Sequence, residues 1–410
     1  MGRGLDPMAG CVPPARRPAA GANARMTTPP PGQREIVVVT TGRMPGPPLD
    51  RAAAFASRFA GAVPTALLVP SYAANQQLRA AALPAALEFV RPGRLEGVRK
   101  WNRLRKRRPA LIYCVGGWFR NVVPAILARP FTGSKVVADF DEVMSHWPSK
   151  KRWLYRLLER LVIPRLDGLA VVSAAMEAWA IEVGADPDRI IRVPFAADTR
   201  AIADIASRAN PPVPDRTSVA IGYLGSLTPH YDFWFLRDAL ETVRSRWPDA
   251  VLHLVGDGAA RTAFEQQAKA RGLHDSIRFH GFLTLPFPGI PEPPEQAVLC
   301  LAQCDALLFP IRDTEINRLR CPQKSYVYLA TGTPIVTCAV GEVPGACEDF
   351  AQYFDMADRS SLVAALEAAM REAPERRELR REFSVGLHSW EVRSRDCWAQ
   401  LSRGIFSLPS

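Results

Sequence analysis

The sequence predicts an α/β protein built from two doubly wound, Rossmann-like parallel sheets that face each other across a cleft, and three observations carry that expectation. Short apolar runs of strand length alternate with helical stretches through both halves of the chain, the pattern of parallel strands joined by right-handed crossovers. A proline-rich segment, Asn210-Pro211-Pro212-Val213-Pro214, interrupts the alternation near the middle and reads as an interdomain linker. The length of 410 residues suits two domains of roughly 150–200 residues better than one.

Taken in order, residues 1–33 are rich in Pro, Ala, Gly and Arg. They lack the apolar core of a signal peptide and read as a disordered extension, with Met26 a second candidate start. Order begins with the run Ile36-Val37-Val38-Val39, whose β-branched residues suit a strand covered on both faces. Residues 40–49 carry two Gly and three Pro and form a loop, and 51–59 have helical spacing. Further strands are expected at 66–69, 110–115, 135–138, 169–172 and 190–193, with helices between most of them, one at 153–163. After the linker, strands are expected at 219–224, 250–255, 276–279, 306–309 and 334–337, with helices at 233–247 and 259–272. This places one domain at 34–209, the linker at 210–216 and a second domain at 217–382. Doubly wound sheets bind ligands at the carboxyl ends of their strands, so the cleft between two such sheets is where a reaction site belongs.

Composition narrows the function. A hydrophobic content of 48 % is ordinary for a globular chain, and no apolar run approaches the ~18 residues of a membrane span. The net charge of +11 and pI near 9.5 ask for an anionic partner: nucleic acid, an acidic membrane surface or a phosphorylated substrate. Nucleic acid is not expected, because no helix-turn-helix, zinc-finger or aromatic RNA motif accompanies the charge. The eight cysteines, at 11, 114, 300, 304, 321, 338, 347 and 397, include no Cys-x-x-Cys pair, and no His lies at metal-ligand spacing from them. They read as buried, reduced thiols of a reducing compartment, with no metal or disulfide framework.

Four stretches of the second half carry a resemblance: Gly222-Tyr223-Leu224-Gly225-Ser226-Leu227, Leu254-Val255-Gly256-Asp257-Gly258, Ile277-Arg278-Phe279-His280-Gly281-Phe282, and the segment from Lys324 through Gly332-Thr333-Pro334 to Val336. With Leu169-Ala170-Val171-Val172-Ser173 and Asp188 to Pro194 in the first half, they resemble, in order and spacing over roughly residues 35–400, the family 4 glycosyltransferases of GT-B architecture. The resemblance implies an acceptor-binding first domain, a nucleotide-sugar-binding second domain, and a closing helix within 383–410 that packs back on the first domain. It implies a retaining transfer from a nucleotide-diphosphate sugar by front-face attack, in which the leaving phosphate takes the acceptor's proton. Neither a protein nucleophile nor a metal or other cofactor is then needed.

A leaving diphosphate without a metal requires cations and backbone N–H groups from the protein. Gly225, Ser226 and the loop Gly256, Asp257, Gly258 are candidates for donor binding, since glycine lets the backbone approach phosphate; plain strand-to-helix turns read the same way. Phe282 stands where the family docks the base. The chain departs from the family in two places. Ser226 and Thr228-Pro229-His230-Tyr231 stand where an Arg and a Lys usually follow the first glycine turn. Val327 and Leu319 occupy the positions of two glutamates that usually lie eight apart. Arg318, Arg320 and Lys324 form a replacement cluster for the diphosphate, with a solvated basic loop as the competing reading. Glu315 is the nearest carboxylate for a sugar hydroxyl. On the acceptor side, Gly42 and Gly117 follow strands, and Asp141 is the best polar residue, either catalytic or a strand-end cap. His146 and His280 read as structural.

Residues 99–108 concentrate basic side chains around Trp101, and Arg152, Arg156 and Arg160 recur every four residues opposite Leu154, Leu157, Leu158 and Leu161. Such a helix fits either a core face with a solvated face or an anionic membrane surface. The expectation is a cytoplasmic enzyme, peripheral on the inner face of the membrane, with a glycan or lipid-linked acceptor. The alternatives are a sugar-nucleotide epimerase of the same fold and a non-catalytic nucleotide-sugar or glycan binder.

Overall fold

The computed structural model describes residues 35–44, 46–209, 218–229, 231–290 and 293–405. The expected extension 1–33 and linker 210–216 lie outside them. The first sheet has seven strands: β1 (Ile36–Thr40), β2 (Thr65–Pro70), β3 (Ala86–Val90), β4 (Leu111–Val115), β5 (Lys135–Phe140), β6 (Gly168–Val171) and β7 (Ile190–Arg192). Their order is β3-β2-β1-β4-β5-β6-β7. The second has six: β8 (Ala220–Leu224), β9 (Val251–Val255), β10 (Ile277–Gly281), β11 (Ala306–Phe309), β12 (Ile335–Thr337) and β13 (Ala351–Tyr353), in the order β10-β9-β8-β11-β12-β13. All pairs are parallel. Strand order reverses between β1 and β4 and between β8 and β11, which opens a crevice at each sheet's carboxyl edge.

Among the strands expected from apolar runs, β1, β2, β4, β6, β11 and β12 are buried along their whole length, since helices cover both their faces. Two strands escape that logic. The edge strand β3 is exposed at one end and carries Glu88, and β13 is three residues long. Neither offers an apolar run.

A buried ionic knot ties the first sheet together. Arg51, on the helix Pro47–Ala60, meets Asp139 at 2.8 Å with both side chains sealed from solvent. Its other nitrogens donate to the carbonyls of Val193 and Pro194, and the Tyr113 hydroxyl donates to Asp139 at 2.7 Å. The basic run 99–108 is not wholly a surface. The Lys100 ammonium is buried and donates to the Thr40 carbonyl, Glu96 and Asn121, fixing the end of β1.

The single closing helix expected within 383–410 is two helices, Glu375–Leu387 and Trp390–Gln400. The break falls at His388-Ser389, where the Ser389 hydroxyl accepts from the Val392 amide and starts a new helix. The earlier helix packs on Gln323–Thr331 of the second sheet's layer and the later one on Pro47–Ala60 of the first. There Trp390 meets Phe55 and Phe195 edge-on, and Trp398 lies against Phe59.

Candidate active site

A cavity of about 290 Å³ lies between the two sheets, at the carboxyl ends of β8, β9 and β11. The helix Pro47–Ala60 contributes Pro47 and Asp50 from the first half, and the second half supplies most of the wall. Seven residues expected to bind a donor line it: Gly225, Ser226, Gly256, Asp257, Phe282, Arg320 and Lys324.

Lys324 sits in the first turn of the helix Gln323–Thr331. Its ammonium donates to the Tyr223 hydroxyl at 3.0 Å and lies over the Tyr223 and Phe309 rings, 4.3 and 4.6 Å from their centroids. Burial, and then repulsion from Arg320, pull its pKa down to about 7 despite the attraction of Asp232. A β-carbon on Gly225 would come within 2.9 Å of this nitrogen, so glycine leaves the room that Lys324 occupies. The Arg320 guanidinium rests between the Trp147 and Tyr231 rings, 5.5 and 5.0 Å from their centroids. Its Nε is 3.8 Å from Glu142. Arg320 therefore joins the two halves at the cavity's rim.

The glycine loops differ from expectation. The Gly225 and Gly256 amides are already committed, to the Val255 and Gly281 carbonyls. A β-carbon on Gly256 would fall 1.9 Å from the Gly225 carbonyl oxygen, and one on Gly258 2.4 Å from that of Leu227. Both glycines let the β8 and β9 loops cross, and neither amide is free for phosphate. The Gly258 amide is spent on Asp257, whose other oxygen accepts from Arg261. Among the described residues, the Ser226 and Asp257 amides of these loops make no hydrogen bond.

Other expected residues stand away from the cavity. Arg318 is exposed and paired with Asp313 through two nitrogens. Glu315 is 70 % exposed and meets His146 at 2.9 Å. The short helix Glu315–Leu319 turns both outward and buries Leu319 instead. Gly42 packs against Leu49, and Gly117 against Asn121 and Thr41; both read as packing positions. Asp141 lies just past β5 near Gly116. Burial and then Asp139 raise its pKa, against Arg51 and Arg320. Its neighbour Glu142 is pushed up to about 7 by burial and by Asp141.

Two carboxylates of the cavity wall carry no sequence signal. Asp50 accepts from Gln323 at 3.4 Å across the cleft, while its second oxygen is buried without a partner among the described residues. Burial pushes its pKa up to about 7. Asp232 is held by the Arg312 amide and guanidinium and by Asn317. Val327 also lines the cavity, so no carboxylate occupies that part of the wall.

The chain matches two families over most of its length. Residues 218–372 match "Glycosyl transferases group 1", and residues 16–196 match the "Glycosyl transferase 4-like domain". No curated protein sequence matches significantly. Among solved structures, Anabaena HepE in complex with UDP and glucose aligns at a TM-score of 0.68 and 15 % identity, over 90 % of this chain and 99 % of that one. Sucrose-phosphate synthase of Thermosynechococcus elongatus aligns at 0.71 and 15 %, over 92 % and 100 %. The lipopolysaccharide outer core galactosyltransferase WaaB aligns at 0.62 and 13 %, over 90 % and 99 %. At these identities the likeness is one of fold.

Proposed function

This chain belongs to the group 1, GT4-like glycosyltransferases of GT-B fold, and we propose that it moves a hexose from a nucleotide-diphosphate sugar to a glycan or lipid-linked acceptor with retention. The observation that carries the reading is the pair Arg320 and Lys324, two cations converging on one interdomain cavity whose wall includes Phe282. Phe282 is 59 % exposed, a flat ring free to stack on a base. Arg320, Lys324 and the Ser226 amide supply the positive charge that the departing diphosphate requires. The UDP and glucose held by HepE support a donor of this kind. On one face of the sugar the C1–phosphate bond breaks while the acceptor oxygen bonds to C1, and the acceptor proton passes to the leaving phosphate oxygen. Asp50, which lines the cavity, would hold a sugar or acceptor hydroxyl.

The acceptor side suits a membrane. In the helix Arg152–Val162, Trp153, Leu157 and Leu161 are exposed, and Glu159 is the residue turned inward, accepting from the Ser145 amide. The leucine stripe is therefore divided: Leu158 packs against the core with Tyr155 and Val162, while Leu157 and Leu161 stand uncovered, near exposed Phe119, whose ring meets Tyr155, and within a strongly basic half. Apolar side chains ringed by arginine fit an anionic bilayer and support a place on its inner face, in cell-surface polysaccharide or glycolipid synthesis. The test is incubation with nucleotide sugars and a lipid-linked glycan. The reading expects release of nucleoside diphosphate and a product with the donor's anomeric configuration. Donor binding without release across acceptors, or an epimerised donor, would overturn it.

A further inference from the structure

We propose that His253, His280 and Cys300 form a binding site for a zinc ion, separate from the interdomain cavity and independent of the reading above. One ring nitrogen of each histidine and the Cys300 sulfur all lie within 4.8 Å of one another. Two imidazoles and a thiol are a borderline-soft donor set of the kind that selects zinc over calcium or magnesium.

The fold builds this cluster from distant parts of the chain. His253 lies at the centre of β9 and His280 near the end of its parallel neighbour β10. The register between them shifts between Phe279 and Gly281. His280 is the extra residue of that irregularity, and bulges re-aim side chains. His253 Nδ1 and His280 Nε2 stand 3.1 Å apart with the rings 13° from parallel. Two nitrogens bound to one tetrahedral zinc at ~2.0–2.1 Å would be about 3.3 Å apart, so small ring rotations bring both to a shared ion. Cys300 arrives from the helix Gln296–Ala302. It is the half-buried one of the seven cysteines in the described residues, where the other six are buried.

Beside the cluster is a second cavity of about 450 Å³, lined by the three candidate ligands with Gln296, Leu299, Gln303 and Cys304. It shares no lining residue with the interdomain cavity. It gives an ion an entry path and room for a fourth ligand, either water or a glutamine oxygen. A histidine–histidine hydrogen bond accounts for the two rings alone and assigns nothing to Cys300. Bound zinc would clip β9, β10 and the helix together. His253 is three residues before Gly256, and His280 two before Phe282, so the clip would stiffen the donor wall.

The experiment uses the full chain, freed of metal by a chelator and titrated with Co²⁺ and then Zn²⁺. The proposal expects one equivalent of Co²⁺, a thiolate-to-cobalt charge-transfer band, displacement by Zn²⁺ and a higher Tm with Zn²⁺. Cys300→Ser, a near-isosteric change, removes the band. His280→Ala, at a partly exposed ring, weakens binding by at least about tenfold. No stoichiometric uptake, or a band that persists in Cys300→Ser, would overturn the site. Circular dichroism of each variant separates lost binding from lost fold.

Discussion

At the scale of single residues, the site rests on which basic side chains the fold turns inward. Arg318 and Arg320 are two positions apart, yet one pairs with Asp313 in solvent and the other sits between two rings at the cleft. Sequence spacing showed a basic cluster but not this division, because the short helix Glu315–Leu319 decides it. Asp50 was illegible for a related reason. Its partner Gln323 lies 273 residues away, and only the meeting of the two halves creates the pair. Lys324 allows a prediction with a sign. Its pKa of about 7 in the folded chain is far below the ordinary lysine value of about 10.4. Between those limits the unfolded chain holds the proton that the folded one has lost, so this lysine's contribution to stability improves as pH rises through the window. Donor binding runs the other way. An anionic diphosphate favours the ammonium, so above pH 7 binding must take up a proton, and affinity falls by up to about tenfold per pH unit. Titration calorimetry across neutral pH checks this, and Lys324→Met should flatten the profile while lowering affinity throughout.

At the scale of elements, amphipathy and strand patterning were legible, but the direction of a face was not. The helix Arg152–Val162 shows its leucine stripe in the sequence, yet the chain buries Glu159 and leaves Trp153, Leu157 and Leu161 outside. Leu158 covers one edge of the stripe by packing on the core with Tyr155 and Val162, and the other edge is left free. Leu157→Glu with Leu161→Glu should leave the Tm nearly unchanged and remove most co-sedimentation with phosphatidylglycerol vesicles. Binding of the parent chain should fall steeply with salt; binding that is equal on neutral vesicles would contradict the assignment. The glycine loops followed the sequence in place and departed from it in use, since close crossing of the β8 and β9 turns consumes Gly256 and Gly258. Gly225→Ala should displace the Lys324 ammonium and weaken nucleotide binding more than it lowers Tm. The closing helix Trp390–Gln400 is held mainly by aromatic contact with the first sheet's layer. Trp390→Ala should therefore cost about 3–5 kcal/mol in urea denaturation.

At the scale of the molecule, the two sheets were legible because alternation of apolar strands with helices survives without knowledge of any contact, whereas the joint between them was not. Beyond the helices packed across it, that joint turns on single side chains: Gln323 reaches Asp50 and the Ala196 carbonyl, Ser173 donates to the Leu319 carbonyl, and Arg320 reaches Glu142. The central claim is that the cleft between the sheets holds a diphosphate through Arg320 and Lys324. Its most direct test is the Kd of a nucleoside diphosphate, measured at one ionic strength for the parent chain and for Arg320→Ala, Lys324→Ala and Arg318→Ala. The account predicts a loss of about tenfold to a hundredfold for each of the first two, the worth of one charge-assisted contact, and no change for the third. Equal affinity in all four proteins, or a loss confined to Arg318→Ala, would contradict it.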